Sequence, residues 1–214
     1  MPLDDSLVRA PKQLRSQQAF DRVLDVTLRL LAEQGYENFT VAEVSKQSRV
    51  SIGSIYCRVT GKDDLLRAAQ QRFLERMRVE EGHLTDPRRW GSTPLAELIP
   101  SFVGELSDLL RRNAPLLAAF HTRAAVDEVV SDAGTAAYVA LHDGAVSVIL
   151  GRGEEILHED PRRAASASFD AAYSVLARRL AVHVPQEAAS SAPLDTVVED
   201  VGRMALAFLL SRSG

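Results

Sequence analysis

Residues 39–66, FTVAEVSKQSRVSIGSIYCRVTGKDDLL, read as two short helices joined by a tight turn. Thr40 followed three residues later by Glu43 is a capping box: a hydroxyl before the first turn and a carboxylate within it can satisfy free backbone N–H groups, so a helix is expected from Val41. Val41, Val44 and Ser48 share one face of it. The pattern breaks at Arg49-Val50, and Ser51 is placed to cap a second helix from Ile52 to about Val59. There Ile52, Ile55, Tyr56 and Val59 are expected to form the buried stripe, leaving Gly53, Ser54, Cys57 and Arg58 outward. A small outward face with one long cation can approach another surface closely, and the DNA major groove admits such a helix. Gly53 costs a helix about 1 kcal/mol relative to alanine, so its presence favours close approach over helix stability.

Thr60 and Gly61 stop this helix, and a third is expected to begin at Lys62-Asp63-Asp64. A cation at a helix N-terminus opposes the macrodipole, whereas the two aspartates suit it. A phosphate beside the helix end would give Lys62 its reason; the alternative is a solvated lysine neutralised by its neighbours. Upstream, Phe20, Val23, Leu24, Thr27, Leu30 and Leu31 recur at helical spacing and Gly35 closes the run, giving a supporting helix from Ser16.

The run Thr40-Val41, Val50-Ser51-x-Gly53-Ser54-Ile55-Tyr56 and Lys62-Asp63-x-Leu65-Leu66, preceded by a helix ending in Gly35-Tyr36, resembles the DNA-binding domain of the tetracycline-repressor (TetR) family over roughly residues 15–70. The resemblance implies a dimer that reads DNA through a helix-turn-helix, with an all-helical domain for ligand binding and dimerisation behind it. By it, Thr40, Ser51, Ser54, Tyr56 and Lys62 fall where members touch DNA, and Gly53 and Arg58 join them from the outward face. Two positions depart from the family pattern, which has His then Phe two and three residues after the tyrosine where this chain has Arg58 and Val59. Arg58 keeps a phosphate donor; Val59 alters local packing.

The net charge of −4 is unevenly spread. From Arg9 to Lys62 there are nine Lys/Arg against five Asp/Glu, a local +4, whereas residues 71–214 carry fifteen against twenty, a net −5. A basic head on an acidic body would be oriented by a polyanion. One cysteine among 214 residues rules out an internal disulfide framework. The N-terminus lacks the apolar core of a signal peptide, and no apolar run reaches membrane-span length, so a cytoplasmic protein is expected.

Residues 1–14 are expected to be a flexible arm, residues 15–62 the DNA-binding domain, and residues 63–214 the ligand-binding and dimerisation domain; Arg9, Lys12 and Arg15 could reach phosphates or an adjacent minor groove. Breaker-rich residues 82–94 mark a boundary or mobile loop. Helices are expected over Leu95–Arg112, Ala114–Ala125, Asp127–Leu150, Pro161–Val184 and Leu194–Arg212, for an all-α fold without strands. The last two are apolar over more of their circumference than one neighbour needs, which points to a helix partner in a homodimer.

Phe102, Leu117, Phe120, His121, Tyr138, His142, Phe169 and Tyr173 are the candidate ligand-binding residues, rings and polar anchors in otherwise apolar helices. Glu154, Glu155, His158, Glu159 and Asp160 read as a solvated acidic connection rather than a metal site. No metal, cofactor, catalytic nucleophile-plus-base arrangement or nucleotide fingerprint is expected, and the chain is not read as an enzyme. The expectation is a repressor that binds a palindromic operator as a homodimer and is released by a small-molecule effector. Two alternatives are a helical small-molecule-binding or enzymatic protein with a vestigial helix-turn-helix, and an architectural DNA-binding protein without effector.

Overall fold

The computed structural model describes residues 6–181 and 192–212, and for residues 6–13 and 181 the backbone only. The described residues form nine α-helices and one short 3₁₀ turn, with no strand among them, matching the expected all-α fold. Two compact units divide the chain. One holds the chain up to Glu75 together with Ala119–Ser131; the other holds Arg76–Ala118 and the chain from Asp132 onward.

In the first unit, α1 (Ser6–Asn38) begins earlier than the arm expected for residues 1–14 allowed, and of that arm residues 1–5 and the side chains of Arg9 and Lys12 lie outside the described residues. It breaks at Gly35, whose φ of 75° and ψ of 172° suit only a residue without a Cβ. Val23, Leu24, Thr27, Leu30 and Leu31 of α1 are buried, as the spacing required, while Phe20 is only half-buried and Leu28 joins the core unannounced. Against it lies α2 (Val41–Ser48), capped by the Thr40 hydroxyl, which accepts from the Glu43 N–H at 3.1 Å. The second half of the capping box is not made, because the Glu43 carboxylate accepts from Gln34 and Gln47 instead. After the turn come α3 (Ile52–Tyr56) and α4 (Lys62–Leu84), whose buried Leu65, Leu66 and Ala69 complete this core.

The second unit carries several differences from the sequence reading. Residues 82–94 are a built corner: Asp86 caps the short α5 (Pro87–Trp90), and buried Trp90 donates its indole N–H to the Leu84 carbonyl at 2.8 Å. The two helices expected over 95–125 are one, α6 (Leu95–Ala124), with Pro100 and Pro115 inside it. Its apolar face (Leu98, Phe102, Leu106, Leu109) is continuous enough to hold the helix together across a missing N–H at Pro115. The acidic connection is not simply solvated. Glu155 accepts from the Leu95 N–H at 2.7 Å, and His158 is buried with its ring 4.9 Å from that of Phe208.

The helix α7 (Glu128–Leu150) is long and apolar enough, by length and composition alone, to cross a membrane, contrary to the expectation that no run reaches that length. Its Leu141, Ala145, Val146, Val148 and Ile149 are core residues of the second unit. Finally α8 (Pro161–Ala181) packs along α9 (Leu194–Leu209); residues 182–184 of the helix expected to end at Val184 lie outside the described residues.

Candidate nucleic-acid interface and effector site

The turn between α2 and α3 is held from within. Arg49 is left-handed (φ 57°, ψ 36°), its N–H and that of Val50 both reach the Ser45 carbonyl, and the Ser45 hydroxyl donates to the Val50 carbonyl at 2.7 Å. Ser51 then caps α3 by accepting from the Ser54 N–H at 3.2 Å, and the two serine hydroxyls share a hydrogen bond of 2.8 Å. Only one turn of helix follows, because Thr60 and Gly61 come soon after.

A helix this short buries less than the sequence reading required. Ile55 and Val59 are inside, but Ile52 is 43% and Tyr56 50% exposed. At 3.6 residues per turn Ile52 and Tyr56 stand about 60° and 100° round the axis from Ile55, beyond the cover that the core gives it. The outward surface is thereby larger than expected: Ser51, Ile52, Gly53, Ser54, Tyr56, Cys57 and Arg58 form one exposed face, and Thr40 is exposed beside α2. A Cβ at Gly53 would meet nothing within 4 Å, so the absence of a side chain there serves nothing inside the first unit.

The two cations behave differently from free phosphate donors. Arg58 donates to Ser16 (2.9 Å) and Gln17 (3.3 Å) and lies 5.2 Å over the Phe20 ring, bracing the end of α3 on α1. The ammonium of Lys62 donates to the Glu37 carbonyl at 3.3 Å and sits 4.4 Å and 4.7 Å over the rings of Tyr36 and Phe39. A cation beside the carbonyls that end α1 is favoured by that helix's dipole, which supplies the reason the sequence alone did not show. Asp63 and Asp64 are also engaged: Asp63 accepts from Tyr36 and from Arg123 (3.1 Å), and Asp64 accepts from the Thr60 N–H (3.2 Å). Hydrogen bonds from Thr60 hold the Asp64 carboxyl below its usual range.

The segment Ala119–Ser131 is part of this same unit, which the sequence did not reveal. Phe120 stacks on Phe73 at 5.5 Å, Arg123 lies 4.2 Å over the Tyr36 ring, Gln70 donates to the Val130 carbonyl at 2.9 Å, and Arg67 grips the carboxylate of Asp127 at 3.1 Å. Burial pushes the Asp127 carboxyl up, but the Arg67 hydrogen bond, the Val130 N–H and nearby arginine charge outweigh it and keep it low. Of the expected ligand residues, Phe120 and exposed His121 therefore belong to the first unit, apart from the others.

Within the second unit a narrow apolar slot of about 10 Å³, room for about one water molecule, runs between helices. Ile99, Phe102, Val103 and Leu106 of α6, Ile149 of α7, Phe169 and Ala172 of α8 and Ala205 of α9 line it. Phe169 is shared with a ring cluster: it lies 6.2 Å from Tyr138, 5.9 Å from Tyr173 and 5.6 Å from His142, and Tyr138 and Tyr173 are 4.9 Å apart. Leu117, half-buried, is not among the slot residues. The Tyr138 hydroxyl donates to Asp170. On α4, Glu81 is half-buried; burial and then Glu80 push its carboxyl up to about 7, and burial and then Glu81 raise Tyr173.

One arrangement runs against the expectation of no nucleophile and base. His142 bridges Ser166, at 2.9 Å from Nε2, and Asp143, at 3.1 Å from Nδ1. All three lie within α7 and α8, where backbone N–H groups are committed to carbonyls one turn back, so nothing is left to hold an oxyanion. The string orders polar side chains without completing a hydrolytic site.

Residues 23–69, the stretch that contains the turn, its capped helix and the start of α4, match the family described as bacterial regulatory proteins, tetR family. That stretch thus resembles the N-terminal domain of tetR-family regulators. The chain is 33% identical over 118 residues to the HTH-type transcriptional repressor KstR of Mycolicibacterium smegmatis, a match that spans 55% of each chain, so about half the length of that relative. The fold is similar to that of a TetR-family regulator from Rhodococcus sp. (17% identical, 91% of this chain and 100% of that one, TM-score 0.63). It is also similar to a TetR transcription regulator from Haloarcula marismortui (19% identical, 90% and 97%, TM-score 0.65). The first unit thus contains a helix-turn-helix stretch that matches the tetR-family regulatory proteins. What sequence reasoning missed lies at positions that depend on long-range contacts: Arg67, Arg123 and Asp127 around α4, and Glu81 beside Tyr173. The one signal available for them was a run of charges inside otherwise apolar helices.

Proposed function

We propose that the chain is a cytoplasmic transcriptional repressor that binds a palindromic operator as a homodimer and lets go when a small molecule occupies the second unit. The observation that carries the reading is the exposed face Ser51–Arg58, held outward by a capped single turn whose only large buried residue is Ile55. Ser51, Gly53, Ser54 and Tyr56 enter the groove, with Thr40 against the flanking phosphates; the remaining backbone charge falls to cations of the basic head. Arg58 and Lys62 set the pose of α3 and α4 and can exchange their internal partners for phosphate.

Release follows from continuity of the chain. The helices α4, α6 and α7 each begin in one unit and end in the other, and their ends in the first unit are tied by Arg67–Asp127 and Arg123–Asp63. A ligand that moves α6 or α7 shifts these ties, and with them the start of α4. Purified protein should select from a random DNA pool an inverted repeat with half-sites about one helical turn apart. Recovery of no enriched sequence, or of a single unrepeated one, would count against the operator and the dimer respectively.

A further inference from the structure

The stretch 50–57, which carries α3 and its cap, contains no Arg, Lys, Asn, Gln, Asp or Glu. Those are the side chains that recognise guanine, adenine or cytosine by hydrogen bonds in the major groove. The two serine hydroxyls are engaged with each other, and that of Ser51 also accepts from the Ser54 N–H. Just beyond the helix, Arg58 is turned back onto Ser16, Gln17 and the Phe20 ring. What α3 offers outward is therefore mostly apolar. Ile52 is 43% and Tyr56 50% exposed, one turn apart on the same stripe, with the bare backbone of Gly53 beside Ile52.

In a helix-turn-helix the residues that open the second helix reach the base edges. Here they are Ile52 and Gly53. Every base pair shows donors or acceptors in the major groove, but only thymine adds an apolar group, its 5-methyl. Isoleucine is branched at Cβ and stiff about χ1, so an exposed one presents a fixed apolar knob and loses little freedom on contact. With no side chain at Gly53, nothing holds the backbone behind that knob away from the groove. The surplus of nine Lys/Arg over five Asp/Glu from Arg9 to Lys62 draws the stripe to a polyanion that apolar contact alone does not attract.

We propose that Ile52 is a specificity-determining residue that reads the 5-methyl group of one thymine in each half-site of the operator, with Tyr56 packing beside it one turn further on. The proposal rests on the reading of Ser51–Arg58 as the groove-facing surface, and names what that surface recognises. The base pair under the start of α3 is then fixed by a methyl group and not by a hydrogen bond to guanine or adenine.

The test uses the full chain and the operator it selects from a random DNA pool. Each thymine of that operator is replaced in turn by deoxyuridine, which keeps every hydrogen-bonding group and lacks only the methyl, and affinity is measured by fluorescence anisotropy at fixed salt. One thymine per half-site is expected at which the change weakens binding about fourfold, and about fifteenfold with both half-sites altered, the factor that one buried methyl supplies each time. Ile52→Ala, at an exposed position, should keep wild-type helical content, bind the thymine operator more weakly, and no longer distinguish thymine from deoxyuridine there. A scan in which no deoxyuridine weakens binding overturns the proposal without any variant. A penalty at the same thymine that persists in Ile52→Ala assigns the methyl to another residue and overturns it as well. Either outcome leaves the operator standing, whereas a protein that selects no repeated site refutes the regulatory reading itself and the role of Ile52 with it.

Discussion

Arg49 occupies a backbone conformation that costs a residue bearing a Cβ about 1 to 2 kcal/mol, and it is the one non-glycine residue with positive φ among those described. Arg49→Gly should therefore raise stability by up to about 1 kcal/mol after the extra chain entropy of glycine is subtracted, measured by urea denaturation. An unchanged midpoint would mean that the arginine side chain compensates for the strain. Glu81 makes a pH-dependent prediction. Its folded-state value of about 7 lies above the ordinary 4.5, so the contribution is intact below about 4.5, is lost as pH rises toward 7, and is constant beyond. The groups facing it are Glu80 on its own helix and Tyr173 from α8, neither of which offsets its charge. Glu81→Gln should match the wild type at pH 4 and exceed it at pH 8 by on the order of 1 to 2 kcal/mol, allowing for partial exposure. An equal margin at both pH values would trace the effect to packing instead.

Among the elements of the second unit, α7 comes close at Gly144 to Thr85, the residue that follows α4. A Cβ placed on Gly144 would lie 2.8–3.0 Å from three side-chain atoms of Thr85, whose hydroxyl is itself held by the Glu81 carbonyl at 2.8 Å. Alanine in mid-helix normally gains about 1 kcal/mol over glycine, but here overpacking wins, and Gly144→Ala should cost about 1 to 3 kcal/mol. In a Thr85→Gly background, which removes the obstructing atoms, the same substitution should cost markedly less, and additive losses would show that the two residues do not meet. The elements themselves were legible where a local rule fixed them. The apolar spacing of α1, the Thr40 and Ser51 caps and the Gly35 break all depend on residues within one or two turns. What escaped the sequence depends on distant partners: α6 continues through Pro115 because its buried face holds it, residues 87–90 form a helix because Trp90 finds a core, and the acidic connection is ordered because Glu155 meets Leu95.

For the molecule as a whole, the face proposed to meet DNA was legible because it is contiguous in sequence, from Thr40 to Lys62. Only part of the candidate ligand set proved to be one cluster: Tyr138, His142, Phe169 and Tyr173 come together, whereas Phe120 and His121 fall in the first unit. The dimer that an inverted repeat requires is tested on α9. Val201, Ala205 and Leu209 of that helix are buried within the second unit, yet Met204 is 71% exposed on its other side, and Val175 on α8 is 43% exposed. A large thioether in water gains nothing, whereas the same side chain set against its symmetry mate would bury apolar area at about 25 cal/mol per Å². Met204→Glu places two like charges in that interface while leaving the side of α9 that meets the second unit's core unchanged. The variant is expected to sediment as a monomer with wild-type helical content. Its operator affinity should fall by on the order of a hundredfold or more, because each half-site then binds without the effective concentration that the linked partner supplies. A single half-site should be bound as before. If the variant still sediments as a dimer, the two-fold contact lies elsewhere than on this face of α9, and the pairing of the two reading heads has to be sought on another surface.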